Sequence, residues 1–555
     1  MTTSIMSLLS AEGLRENYAS GAWRDETIYA IVRGHAEARP GAIAVRDSYR
    51  AFTWRDLVDA VDAFAADLVG RGVKRGQRVL VWSANRIETV VALVAASRNG
   101  FVCCPSPHRN HTVAEIAELM SRASCAAFVY QTGFGSDADR HSILDVVRDL
   151  PSLRHVYELA PVGPDVAGRP PFDGLLEHPA SRAGAPVTDP NCVTYLAFTS
   201  GSTGRPKGVM HSDNTQLVSA HGIADAWSLG HDTVTLSLSP FAHNLGCGTL
   251  WTSFVGGGEF VLHDWARGQS MVDRLIETGT TYLVGVPTHA MDLLAELHER
   301  GIDRFDRLMG FRVSAAACPE HVAAELYDLG IPVQKGYGMT ETNGHQYSLP
   351  GDPRELVVET SGVCCPGYEL RIFDPDDPDI ELPQGETGLI GGKGGCLMLG
   401  YFDDQTATEN SLNADGWFLT GDLGWLDEKG YLRITGRKKE VIIRGGHNIN
   451  PNLLEDLAMR HDAIEFAAAI PVPSERLGEQ ACLVVSLVEG MSVTPGEILD
   501  HLAREGLSRY DMPEFWLMLA EMPLMPNGKV QRMEVLRLVR SGEATPEPVP
   551  PRQAA

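Results

Sequence analysis

The segment Tyr195–Met210, YLAFTSGSTGRPKGVM, concentrates residues that can hold phosphate. An apolar run suited to a strand leads into Thr199, Ser200, Gly201, Ser202, Thr203 and Gly204, and the loop closes on Arg205-Pro206-Lys207-Gly208. Glycines let backbone N–H groups approach phosphate oxygens closely. The hydroxyls add donors, and Lys207 adds positive charge. The spacing is not that of a Walker A loop, G-x-x-x-x-G-K-[ST]. A flexible polar linker would share the composition, but the preceding strand and the closing Pro-Lys-Gly set this loop apart.

Four further strings follow in order. They are Gly336-Tyr337-Gly338-Met339-Thr340-Glu341, Leu419-Thr420-Gly421-Asp422, Gly436-Arg437-Lys438-Lys439-Glu440 running into VIIRGGHNINP, and Met525-Pro526-Asn527-Gly528-Lys529. Alone, Tyr337 would pass for a core aromatic, Asp422 for part of a turn, the basic run for a solvated linker, and Lys529 for a surface lysine. Their chemistry suits a phosphate site. A hard cation wants a carboxylate oxygen such as that of Glu341. Asp422 can accept from two hydroxyls. A lysine such as Lys529 can offset negative charge beside a phosphate.

Together the five strings closely resemble the adenylate-forming superfamily, which contains acyl- and aryl-CoA synthetases, peptide-synthetase adenylation domains and firefly luciferase. The resemblance spans nearly the whole chain. Within the superfamily the chain is most similar to aryl-acid ligases of the dihydroxybenzoate type and to alicyclic acid–CoA ligases. It implies that Thr199, Ser200, Gly201, Ser202, Thr203, Gly204 and Lys207 cradle the phosphates of ATP, with Ala317 and Gly338 also at the nucleotide. Tyr337 would stack on adenine, Thr340 contact the α-phosphate, and Glu341 hold Mg2+. Asp422 would hold the ribose hydroxyls, and Arg437 the ribose or a phosphate. Lys529 would bridge the acid and the α-phosphate. Lys439 falls at the family's hinge, and Gly445 and Gly446 fall on the loop lining its pantetheine tunnel.

Ser239-Pro240-Phe241-Ala242-His243-Asn244 fits the segment that gates and lines the acid pocket in the family. His243 would be the gate. In dihydroxybenzoate ligases an asparagine in the place of Asn244 bonds the ortho hydroxyl, usually with an aromatic residue next. Here Leu245-Gly246-Cys247-Gly248 follows instead, and Gly336 opens further space. The stretch ending in Gly248 and the small Gly336 predict a wider, more apolar pocket, for an aryl, alicyclic or polycyclic acid, while the methyl groups of Ala315 and Ala316 would narrow its wall. Ser314-Ala315-Ala316-Ala317 replaces the family's usual Gly-Gly-Ala.

The expected reaction joins a carboxylic acid to ATP as an acyl-adenylate, then passes the acyl group to coenzyme A. The alternative acceptor is the phosphopantetheine of an acyl carrier protein. A non-catalytic nucleotide-binding protein would be expected to lack Lys529 or Glu341, and both are present. A luciferase-like oxygenase would keep the same motifs.

Elements must place these residues. Residues 55–72 have helical apolar spacing and end in glycine; RVLVWS at 78–83 suits a buried strand, and ETVVALVAASRNG a helix. The alternation recurs at 257–295 and predicts an α/β fold, with a mainly parallel sheet and helices on its faces. The acidic, proline-rich Asp374–Pro383 reads as a loop. We expect a large N-terminal domain of helix-flanked sheets over 1–436, a hinge over 437–446, a small mobile α+β domain over 447–540, and a disordered tail over 541–555.

The whole chain sets bounds. With 47 basic and 72 acidic residues the net charge is −25, which argues against a coat for nucleic acid or an anionic membrane. Ten cysteines without a C-x-x-C pair fit reduced thiols in a cytoplasmic protein. The first residues do not read as a signal peptide, and no apolar run approaches a membrane span.

Overall fold

Thr53 starts the first long helix. Its hydroxyl accepts from the N–H of Asp56, whose carboxylate accepts back from the N–H of Thr53, so the helix Trp54–Gly70 begins with two of its free donors satisfied. The strand Arg78–Trp82 and the helix Ile87–Asn99 follow, closed by Gly100 at φ +68°. This second helix is buried from Ile87 to Arg98. At its first turn Glu88 receives Arg50 at 2.8 Å and Arg86 at 2.8 Å, and Arg50 also pairs with Asp47. Burial works to protonate Glu88, but the two guanidiniums hold its pKa at about 2.

The computed structural model describes residues 11–105, 108–199, 206–264, 269–438, 440–444, 447–474, 477–508, 511–525 and 528–549. Two large sheets dominate. The nine-stranded sheet runs 363–364, 343–347, 333–339, 310–313, 282–285, 234–237, 259–262, 43–46, 51–53, with parallel pairing from 333–339 through 43–46. The seven-stranded sheet runs 400–401, 207–212, 193–199, 102–104, 78–82, 127–131, 155–159. Between them lie the helices 28–38, 54–70, 87–99 and 244–256, whose Trp54, Phe64, Val90, Val94, Trp251 and Phe254 build the central core. Helices 271–278, 287–299 and 320–328 cover the far face of the first sheet, and 113–122 and 143–147 that of the second.

A four-stranded antiparallel sheet, 368–373, 388–394, 418–426 and 432–437, follows. The small C-terminal domain packs helices 451–458 and 495–504 on one face of a sheet centred on Gly478–Leu487, and helix 532–541 on the other. Arg460 of this domain pairs with Glu320 of the large one at 2.6 Å.

The α/β class and the large-plus-small architecture are as expected. Two details differ. Within the alternation expected over 257–295, where the sequence suggests a helix from His289 to Arg300, the helix starts two residues earlier at Pro287, because proline at the first helical position gives up no hydrogen bond. The tail, read as disordered from Ser541, is paired in part: Glu547 and Pro548 run antiparallel to Trp516 and Phe515. The proline there sits on a sheet edge, where its missing donor costs nothing.

Candidate active site

The hairpin Val193–Thr199 and Lys207–Ser212 presents the ends of the phosphate-loop string, with Thr199 opposite Lys207 in register. Ser200, Gly201, Ser202, Thr203 and Gly204 lie outside the described residues, as do Lys439, Gly445 and Gly446. Lys207 Nζ stands 4.7 Å from the centre of the Tyr401 ring, and the Tyr401 hydroxyl donates to Glu341 Oε1 at 2.8 Å. Burial and the Glu341 carboxylate push the Tyr401 phenol far above its usual range. One tyrosine therefore links the loop's lysine to the acid expected to hold a metal.

The Gly336–Glu341 string forms the end of the strand Val333–Met339 and its turn into Asn343–Tyr347. Gly338 is required by close approach: a Cβ there would collide with the carbonyl of Asn343. His211, buried on the phosphate-loop hairpin, donates from Nε2 to the carbonyl of Thr340 at 2.7 Å. Burial lowers its pKa to about 4, so the ring is neutral and its Nε2 carries the proton. Sequence reading passed over His211 and Tyr401. The contacts they make cross 129 and 60 residues, and no local pattern announces them.

The Tyr337 hydroxyl donates to Asp422 Oδ2 at 2.7 Å, and Arg437 Nε donates to Asp422 Oδ1 at 2.8 Å. Asp422 and Arg437 face each other on neighbouring strands. Lys529 closes this side. Burial lowers its pKa and Arg437 pushes the same way, while Asp422 and Glu440 pull back. The same lysine charge also bears on His243, whose pKa falls to about 4, chiefly through burial. The Lys529 charge is thus felt both by the Asp422–Arg437 pair and by His243. Its turn is fixed by a bond from the Gly528 N–H to Met525 O at 2.8 Å, and a Cβ on Gly528 (φ +75°) would collide with Thr288 of the large domain.

His243 precedes the helix Asn244–Gly256, with its Nε2 buried and without a partner among the described residues. The His108 ring lies 4.2 Å from it. Asn244 Nδ2 donates to Asn343 Oδ1 at 3.1 Å, and Asn244 Oδ1 is buried without a described partner. Gly248 has open space where a side chain would project, and a Cβ on Gly336 would sit 3.2 Å from both Ser314 Oγ and Arg312 Nη2. Ala315 adopts φ +69°, a left-handed conformation that glycine takes without strain; the family's glycine would be at ease there. Ala317 is exposed.

Among the described residues no group of three or more His, Cys, Asp or Glu side chains is arranged to hold a metal. The donor chemistry still fits magnesium. That ion is usually bound by one or two carboxylates plus substrate phosphates, and Glu341 lies across Tyr401 from the loop lysine.

Comparison with known proteins agrees with this geometry. Residues 32–402 match the AMP-binding enzyme family, and residues 453–529 match the AMP-binding enzyme C-terminal domain. The 3-[(3aS,4S,7aS)-7a-methyl-1,5-dioxo-octahydro-1H-inden-4-yl]propanoyl:CoA ligase of Mycobacterium tuberculosis is 33% identical over 501 residues, covering 88% of this chain and 94% of the relative. The medium-chain fatty-acid–CoA ligase of Escherichia coli is 28% identical over 515 residues, covering 92% and 90%. The crystal structure of ATP-bound MatB from Rhodopseudomonas palustris superposes with a TM-score of 0.79 at 26% identity, covering 92% of this chain and 98% of that one. The chain belongs to the AMP-binding enzyme family, in the acid–thiol ligase class. Among the described residues no helix is long and apolar enough to cross a membrane.

Proposed function

We propose that this protein converts a carboxylic acid, ATP and coenzyme A into acyl-CoA, AMP and pyrophosphate through an acyl-adenylate. The observation that supports the reading is the turn carrying Lys529, which packs against Thr288 of the large domain and brings the lysine charge within electrostatic reach of His243, Asp422 and Arg437. In the first step the acid's carboxylate attacks the α-phosphate of ATP and pyrophosphate leaves. Thr199, Lys207 and the loop between them hold the phosphates, Thr340 contacts the α-phosphate, and Tyr337, Gly338 and Ala317 flank the adenine. Asp422 and Arg437 hold the ribose. Lys529 lies where it can neutralise charge shared by carboxylate and phosphate. Glu341 would hold Mg2+, which supplies charge neutralisation at the phosphates.

The acid enters beside His243 and lies against Asn244, Gly248, Ala315 and Gly336, and the open space at Gly248 suits a bulky acid. In the second step the small domain turns about Lys439, and the thiol arrives along Gly445 and Gly446 to displace AMP. We take residues 1–436, 437–446 and 447–540 as the large domain, hinge and small domain, and the cytoplasm as the site of action. The free state of all ten cysteines supports that placement. Coenzyme A is favoured over a carrier-protein pantetheine because the relatives named above are CoA ligases.

The test is mass spectrometry of products from ATP, Mg2+, coenzyme A and a panel of aryl, alicyclic, polycyclic and fatty acids. Acyl-CoA from one structural class is the expected product. Acyl-AMP alone would move the acceptor to a carrier protein, and no product at all would contradict the ligase reading.

A further inference from the structure

We infer that the acid this protein activates carries an oxygen acceptor at the end remote from its reacting carboxylate, and that Arg312 receives it. The inference rests on the placement of Asn244, Gly248 and Gly336 in the acid pocket proposed above. Arg312 lies on the strand Gly310–Val313 and is 4% exposed. Strand alternation sends Phe311 and Val313 into the core under the outer helices, and Arg312 to the opposite face, toward Gly336 and Gly344. There Nη2 sits 3.2 Å from the Cβ position of Gly336, and a side chain at Gly344 would strike it. Two glycines thus keep the front of the guanidinium clear.

Among the described residues the guanidinium has no ionic partner: no carboxylate pairs with it, Nε and Nη1 are buried without a hydrogen-bond partner, and the Tyr282 phenol is the side chain within its hydrogen-bonding reach. Its neighbours are the phenols of Tyr282 and Tyr347 and the thiol of Cys365, with His345 close by, a ring that burial keeps neutral at about pH 3 and above. A guanidinium keeps its charge in proteins, and a buried one is stable only when paired. Its planar fork of donors matches a carboxylate, a sulfonate or the lone pairs of a ring ketone. A plain hydrocarbon end would bury those donors against methylene groups and leave them unmet.

The experiment is ATP–pyrophosphate exchange on the full-length protein with three acids of one carbon skeleton, ending in methyl, ketone or carboxylate. In the wild type, the acids with a terminal oxygen should exceed the methyl-ended acid by about 10²-fold in kcat/KM. Arg312→Met should collapse that difference, and Arg312→Lys should keep part of it. If Arg312→Met does not fold, Gly344→Ala fills the space in front of the guanidinium and should also reduce the preference. The ranking of carboxylate against ketone identifies which oxygen is bound. A wild type that prefers the methyl-ended acid, or a preference unchanged in Arg312→Met, overturns the inference and leaves the ligase reading standing. No exchange with any of these acids or with the wider panel, in protein whose melting temperature rises with AMP, removes the ligase reading and the inference with it.

Discussion

Lys529 separates the two half-reactions at the level of one residue. In the proposed mechanism its charge matters where carboxylate meets phosphate, and the thiol step follows once the small domain has turned away. Lys529→Ala should lower acyl-AMP formation by about 10²-fold or more, while transfer from supplied acyl-AMP to coenzyme A largely survives. Rapid-quench assays of each step check this, and equal loss of both contradicts the assigned role. Tyr401 allows a finer test. Its hydroxyl orients Glu341, and removing such an orienting bond weakens a metal site by about 10–100-fold. Tyr401→Phe should therefore raise the Mg2+ concentration needed for half-maximal adenylation while circular dichroism stays native. Lys529 was legible because it sits in a string with fixed neighbours. Tyr401, His211 and Arg312 were not, because their meaning comes from what the fold sets beside them.

At the level of elements, the Ile87–Asn99 helix is the one most dependent on charge. Glu88 sits at its positive end and serves two buried arginines. Glu88→Ala would leave Arg86 without a carboxylate in the core and Arg50 with Asp47 alone, at a cost of about 3–5 kcal/mol. Urea unfolding should show a lower midpoint at an unchanged slope; a midpoint within error of the wild type would mean that the arginines find other partners. Helices with local start signals were readable: Thr53 and Asp56 set one beginning, and Pro287 sets another. The Ser541 tail was misread because its pairing partner, Phe515, is a sheet edge that composition does not reveal.

At the level of the whole molecule, pH tests how the histidines were buried. His108, His211, His221, His243, His263, His289 and His345 all have pKa values lowered, chiefly by burial, from 6.5 to about 4 or 3. Between pH 6.5 and 4 the unfolded chain therefore binds protons that the folded chain refuses, so stability must fall as the pH falls. The melting temperature should be flat above pH 7 and drop steeply from pH 6.5 toward 4. A flat profile to pH 5 would show that these rings are protonated in the folded state. The order of the strands was beyond sequence reading. Val45 lies beside Phe260 because the chain returns to that edge after building the other sheet, and alternation of strand and helix cannot say which strands become neighbours.

Arg437 ends the last strand of the four-stranded sheet, clasping Asp422, and the inter-domain connection begins at the same residue. A departing nucleotide thus leaves its mark at the pivot itself. For turnover this makes AMP more than a spent product. With its ribose on Asp422 and Arg437 as proposed, AMP would hold the proposed pivot in its post-transfer posture, so accumulated AMP should act as a brake on the next cycle, and an enzyme that removes AMP should speed it.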